Sequence, residues 1–294
     1  MNRSNDYPGF WHAVLLCLIF IALQFVLIIP VAIFDALFKS RLVAHPAVLG
    51  IVNLSACALV VTTGWLIGRP AMSEVCALRR VSGPALASVI VASAGAIIVL
   101  SEVDNLVQFV LPAPDWIVRI FNELSAPSEH FWASVFLLVI VAPLTEEVMF
   151  RGLILRALLR RFRVGAAFLL SSMLFGLVHL NPWQFFSAFA LGLMFAWWYA
   201  RTGSLVPSML GHALANAMVV GNASLPFKVR GFNAGDSFAN ADLQPAWFDA
   251  LGVLLLAAGL WLFYRATPAT RPGVEPPSEP EPPPLPSGPD APST

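Results

Sequence analysis

Charge is scarce in this chain. Of its 294 residues only 12% are Asp, Glu, Lys or Arg, about half the share of an ordinary globular protein. Seventeen basic residues balance seventeen acidic ones, so the basic excess expected of a nucleic-acid-binding protein is missing. Cysteine is scarce as well. Cys17, Cys57 and Cys76 are odd in number and form no CxxC pair, which leaves no basis for a disulfide framework or a cysteine zinc site. They read as small buried hydrophobes. The HExxH helix motif of zinc peptidases is absent too. What is plentiful is apolar: 58% of the residues are hydrophobic. One soluble domain of this length cannot bury that much, and the composition is that of an integral membrane protein.

Eight apolar segments approach or reach the length needed to cross ~30 Å of hydrocarbon. They are roughly 10–34, 46–67, 84–101, 131–150, 165–180, 184–200, 205–221 and 246–264. The first is too long for a signal-peptide core and has no AxA-type exit, so it reads as a retained helix. The runs are continuous rather than alternating, which argues against a membrane β-barrel. The expected fold is therefore all-α: a polytopic membrane protein of about eight transmembrane helices with an intramembrane active site. The chain divides into N-terminal transmembrane helices over 1–129, a core over 130–222, and an outer loop with the last transmembrane helix over 223–266. A proline- and acid-rich tail over 267–294 has no apolar period and is expected to be disordered. Residues 102–131 are expected to form an outer loop with a short interfacial helix.

Basic residues orient the helices. With the N-terminus in the cytoplasm, twelve of them fall on the inner side and five on the outer, and the run RALLRRFR after the fourth segment is the strongest anchor. Both termini are then cytoplasmic. Fifteen arginines against two lysines, with abundant alanine, suggest a GC-rich bacterial genome, hence a bacterial cytoplasmic membrane.

Against this background the polar residues inside apolar helices stand out, because ionisable groups there face a partner or a wet cavity. Three patterns occur in order: Glu146-Glu147-x-x-x-Arg151, Phe175-x-x-x-His179 and His212-x-x-x-Asn216. Four-residue spacing places Glu147 with Arg151, and His212 with Asn216, on shared helix faces. Phe175 sits one turn before His179, where its ring can brace the imidazole. Glu146 precedes the turn at Arg163 by seventeen residues and His179 follows it by sixteen. At ~1.5 Å per residue both lie ~25 Å from that turn, so an antiparallel hairpin brings them to one height. His12, His45 and His130 fall at segment ends and read as interfacial. Singly, each polar group has a structural reading: an ion pair that locks a helix, a histidine bonded to a carbonyl, an asparagine joining helices. Together they suit water activation. A carboxylate beside an imidazole can act as general base, and a second imidazole and an amide can hold an oxyanion. A zinc site built on Glu146, His179 and His212 is the other chemistry this set allows.

The ordered set over roughly 130–222 resembles the CPBP family of intramembrane proteases, which includes the type II CAAX prenyl proteases and the bacterial Abi proteins. The resemblance implies an intramembrane endopeptidase acting on a membrane-associated protein or peptide, of CAAX or bacteriocin type. It implies Glu146 as general base with His179 orienting the water, and His212 and Asn216 as the oxyanion site. It also implies Glu147 and Arg151 as support for that site. The family is described both as metallopeptidases, with one divalent ion such as zinc, and as metal-free glutamate peptidases. A cavity open to the cytoplasm is expected. Two readings stand beside this one: a non-catalytic immunity or partner-binding membrane protein, and a small transporter with Glu146, His179 and His212 as an ion relay. The lipid bilayer is the one certain partner. No nucleic acid is expected, and nothing in the sequence indicates an oligomeric state.

Overall fold

The computed structural model describes residues 7–119, 130–234 and 242–267. The proline-rich tail lies almost wholly outside the described residues. The protein is an all-α integral membrane protein, and each of the eight apolar segments falls on a helix. We label these α1 (Phe10–Phe38), α2 (Pro46–Gly68), α3 (Met72–Val75), α4 (Gly83–Val110), α5 (Phe131–Leu159), α6 (Val164–Leu177), α7 (Pro182–Thr202), α8 (Val206–Gly221) and α9 (Ala246–Ala266). Five of them, α1, α2, α4, α5 and α9, are long and apolar enough to cross a membrane. Helices α6 and α8 have 14 and 16 residues, short of the ~20 a full crossing needs. Large apolar side chains such as Trp11, Phe25, Ile51, Phe109 and Leu254 point outward, as they do where the solvent is hydrocarbon.

Two features depart from the expected outline. Helix α4 continues nine residues past the expected end at 101, so Glu102 to Val110 is helix and not loop. Helix α5 is not a plain α-helix. Its stretches Phe136–Val141 and Val148–Leu155 are wound as π-helix, and an α-helical segment, Ala142–Glu147, lies between them. Pro143 opens that central segment. Its nitrogen carries no hydrogen, so one carbonyl of the preceding turn loses its donor. π-Helical turns inside a helix are frequent at functional sites.

Small residues bring the helices close. A methyl at Gly95 of α4 would sit 2.1 Å from the backbone nitrogen of Leu256 on α9, so that helix pair is packed backbone to backbone. A methyl at Gly152 would sit 2.0 Å from the carbonyl oxygen of Val75, which binds α3 tightly to α5. The N-terminus of α7 is set by Asn181, whose side chain accepts the backbone N–H of Trp183, with Pro182 in the first turn.

The bundle has one basic end. There Ser204 Oγ donates to the carbonyl of Arg79 at 2.8 Å, Arg201 binds Thr267 Oγ1 at 2.9 Å, and Glu74 pairs with Arg156. The turn joining α5 to α6, with Arg160 and Arg161, belongs to this end. At the other end the rings of His45 and His130 meet with centroids 4.3 Å apart. Arg151 does not belong to the basic end. It is fully buried within α5, so among the described residues the expected asymmetry of basic residues becomes nine against five.

Candidate active site

Glu147 and Arg151 are both 0% exposed. Their four-residue spacing closes an ion pair of 2.9 Å between Glu147 Oε1 and Arg151 Nη1. The guanidinium does not stop there. Its Nη2 donates to the carbonyl of Gly192 on α7 at 3.1 Å, and its carbon lies over the rings of Phe175 at 4.5 Å and Phe195 at 5.3 Å. A buried charge is tolerated when paired and hydrogen-bonded, and a desolvated cation over aromatic faces gains up to ~2 kcal/mol more. Arg151 therefore ties α5, α6 and α7 together at the level of the glutamates.

The histidine that meets the glutamates is His212. Its Nδ1 lies 2.9 Å from Glu147 Oε1 and its Nε2 lies 3.9 Å from Glu146 Oε2. The ring is stacked on Phe195, with centroids 5.5 Å apart, and meets the edge of Phe175 at 5.6 Å. Glu147 thus fixes which nitrogen His212 turns outward, a task carboxylates perform for imidazoles generally. Glu146 Oε2 is buried and has no hydrogen-bond partner among the described residues. A separation of 3.9 Å is too long for a direct hydrogen bond and is one that water can bridge.

His179 makes its hydrogen bond within its own segment. Its Nδ1 bonds the carbonyl of Phe175 at 2.8 Å, and among the described residues no ion pair joins it to Glu146. The ring of Phe175 stands edge-on to both imidazoles, 5.2 Å from His179 and 5.6 Å from His212. It braces His179 as its spacing suggested, and it braces His212 too. Asn216 donates from Nδ2 to the carbonyl of Leu138 on α5 at 2.8 Å.

A cavity of about 350 Å³ opens beside these groups. His179, His212 and Asn216 line it, and Glu146 does not. Its other walls come from the C-terminal half of α4, the start of α7, and residues 231–233. It therefore lies toward the end of the bundle opposite the basic one, where an opening at the basic end was expected. The polar stripe Ser101, Asp104, Asn105 and Gln108 on α4 contributes to the wall and was missed in the sequence. The three- and four-residue spacing of those polar side chains in an apolar run was the signal available.

Zinc requires three protein donors converging on one point. Among the described residues no group of three His, Cys, Asp or Glu side chains is placed to hold a metal ion. Glu146, His179 and His212 are not gathered as such a set, so no step below passes through a metal.

Residues 128–218 match the family profile described as type II CAAX prenyl endopeptidase Rce1-like. The segment holds all three motifs. Among curated proteins, the chain is 37% identical over 81 residues to the "Putative membrane peptidase YdiL" of Bacillus subtilis, which is 28% of this chain and 33% of that protein. It is 32% identical over 82 residues to the "UPF0177 protein YxdF" of Lactococcus lactis, 28% of this chain and 45% of that one. The matches thus span a third to under half the length of these relatives. No solved structure matches the chain significantly.

Proposed function

We propose that the protein is an intramembrane endopeptidase of the glutamate type, cleaving a peptide bond in a membrane-associated protein or peptide. The observation that carries this reading is the buried Glu146 Oε2, which accepts no hydrogen bond among the described residues and lies 3.9 Å from the Nε2 of a histidine that lines the cavity. The motif-bearing match to the Rce1-like profile supports it. The peptidase name of the Bacillus relative agrees with it.

In this mechanism a water sits between Glu146 and His212 at the cavity wall. Glu146 takes a proton from it as general base, and the hydroxide adds to the scissile carbonyl. The electron pair of the C=O bond moves onto oxygen. That oxyanion is met by polar groups of the cavity, with the second N–H of Asn216 as one donor. The tetrahedral species then expels the amine as the C–N bond breaks, and the amine receives the proton held by Glu146. Glu147 and Arg151 touch no reacting atom. They are positioning residues that hold His212 in register. His179 lines the same cavity, where its Nε2 can meet the water or the substrate.

The test is peptidase activity of the purified full-length protein in lipid vesicles against a library of apolar peptides, comparing wild type with Glu146→Gln. Loss of about 10²-fold or more, the usual contribution of a general base, is expected with the fold unchanged. Wild-type rates in Glu146→Gln sink the proposal. So does a wild type that cleaves no member of the library.

A further inference from the structure

The cavity contains an acid that the proposed chemistry does not use. Asp104, on the C-terminal half of α4, lines the same space as His179, His212 and Asn216. Its Oδ1 accepts a hydrogen bond from Ser187 Oγ on α7, so the carboxylate is held between two helices. Among the described residues no cation pairs with it. No lysine or arginine among the described residues lines the cavity. The contrast with Glu147 is direct, because Glu147 carries Arg151 at 2.9 Å and His212 at 2.9 Å. An ionisable group at membrane depth is costly and normally has a partner. For Asp104 the described residues supply one hydroxyl and no paired cation.

We propose that Asp104 is a specificity residue whose missing countercharge arrives with the substrate, as a lysine, an arginine or a free amino group near the scissile bond. The remaining walls are mostly apolar, formed by side chains such as Ile97, Leu100, Leu191 and Phe195. A volume of about 350 Å³ lies at the small end of the range for ligand pockets and admits a few side chains. The substrate class is therefore an apolar peptide segment bearing one cation. A free C-terminal carboxylate is disfavoured, since it would face Asp104 and find no lysine or arginine. This inference rests on the peptidase reading only for the word substrate, because its test measures binding.

The test uses the full-length protein in detergent micelles and four synthetic peptides. Each is a short leucine–alanine peptide with a diazirine cross-linker and biotin. Three are capped at both ends and carry a central lysine, norleucine or glutamate. The fourth is the norleucine peptide with a free C-terminal carboxylate. The lysine peptide is expected to label about ten-fold more than norleucine, the low end of what a close charge pair supplies. Glutamate and the free carboxylate are expected to label least. Asp104→Asn should abolish the lysine preference, and Asp104→Glu should retain part of it. Equal labelling by lysine and norleucine in the wild type overturns the proposal, and so does a preference that survives in Asp104→Asn. If Asp104→Asn fails to fold, the wild-type ranking decides alone. Cleavage of the same peptides is scored separately. Lysine preference without cleavage sinks the peptidase reading and leaves the subsite standing, and cleavage without preference does the reverse.

Discussion

Asn216 Nδ2 donates at 2.8 Å to the carbonyl of Leu138, the oxygen that Pro143 leaves without a donor. In the π-helical turn of α5 the N–H of Ala142 bonds back five residues to Leu137. The next N–H in that register would come from residue 143 and would reach Leu138. Proline has none. The asparagine of the third motif therefore completes the helix that carries the first. An orphaned carbonyl inside a membrane costs more than in water, which gives Asn216 a structural duty beside any catalytic one.

That duty predicts a specific coupling. Asn216→Ala leaves the Leu138 oxygen unpaired and should cost about 1–3 kcal/mol. Pro143→Ala restores a backbone N–H in register with Leu138. In that background Asn216→Ala should cost clearly less, with a coupling of at least about 0.5 kcal/mol in a double-mutant cycle. Equilibrium unfolding in detergent measures both terms. Strict additivity removes the structural role. Peptidase activity in Pro143→Ala/Asn216→Ala then shows what the amide contributes to chemistry alone.

The Glu147–Arg151 pair makes a different prediction. Both side chains are fully buried, so removing one strands the other. Arg151→Met should destabilise by about 3–5 kcal/mol. The double change Glu147→Met/Arg151→Met should recover much of that loss while still releasing His212, whose Nδ1 would lose its carboxylate. Stability and activity should therefore separate: the double variant folds and does not cleave. A double variant as unstable as Arg151→Met alone contradicts the account.

These residues also show what could be read in advance. Four-residue spacing was enough to pair Glu147 with Arg151, because both lie in one helix and spacing fixes their face. It could not say that His212, on a separate helix, would bond Glu147 and lie 3.9 Å from Glu146. Helix height was estimated by counting residues from a turn, and the direction of an imidazole is set by local bonds such as His179 to the Phe175 carbonyl. Asp104 was missed because Glu102 and Asp104 looked like the end of a membrane span. In the structure α4 runs on, and its polar stripe faces a cavity. The π-helical turns of α5 have no compositional signature, and Pro143 is the one residue that hints at them.

Metal dependence follows from the donor geometry. With no three metal donors gathered at the glutamates among the described residues, cleavage should persist after exhaustive EDTA treatment and dialysis. Loss of activity that returns on adding zinc would replace the glutamate mechanism with one in which the donors gather around the ion.

The position of the cavity predicts which side of the membrane the site serves. The arginine-rich end of the bundle is expected in the cytoplasm from the bias of basic residues, nine against five among the described residues once Arg151 is set aside. The cavity lies toward the other end, lined by the C-terminal halves of α4 and α8 and by residues 231–233. Single cysteines report this directly in a variant with alanine at Cys17, Cys57 and Cys76. Arg80→Cys, exposed before α4, should react with a membrane-impermeant maleimide only after permeabilisation. Ser224→Cys, exposed just beyond α8, should react in intact cells. That pattern places the cavity's end at the outer face and directs the search for substrates to exported or membrane-anchored peptides. The reverse pattern turns the bundle over and gives the site to cytoplasmic substrates, with the arginine-rich end standing outside against the usual rule.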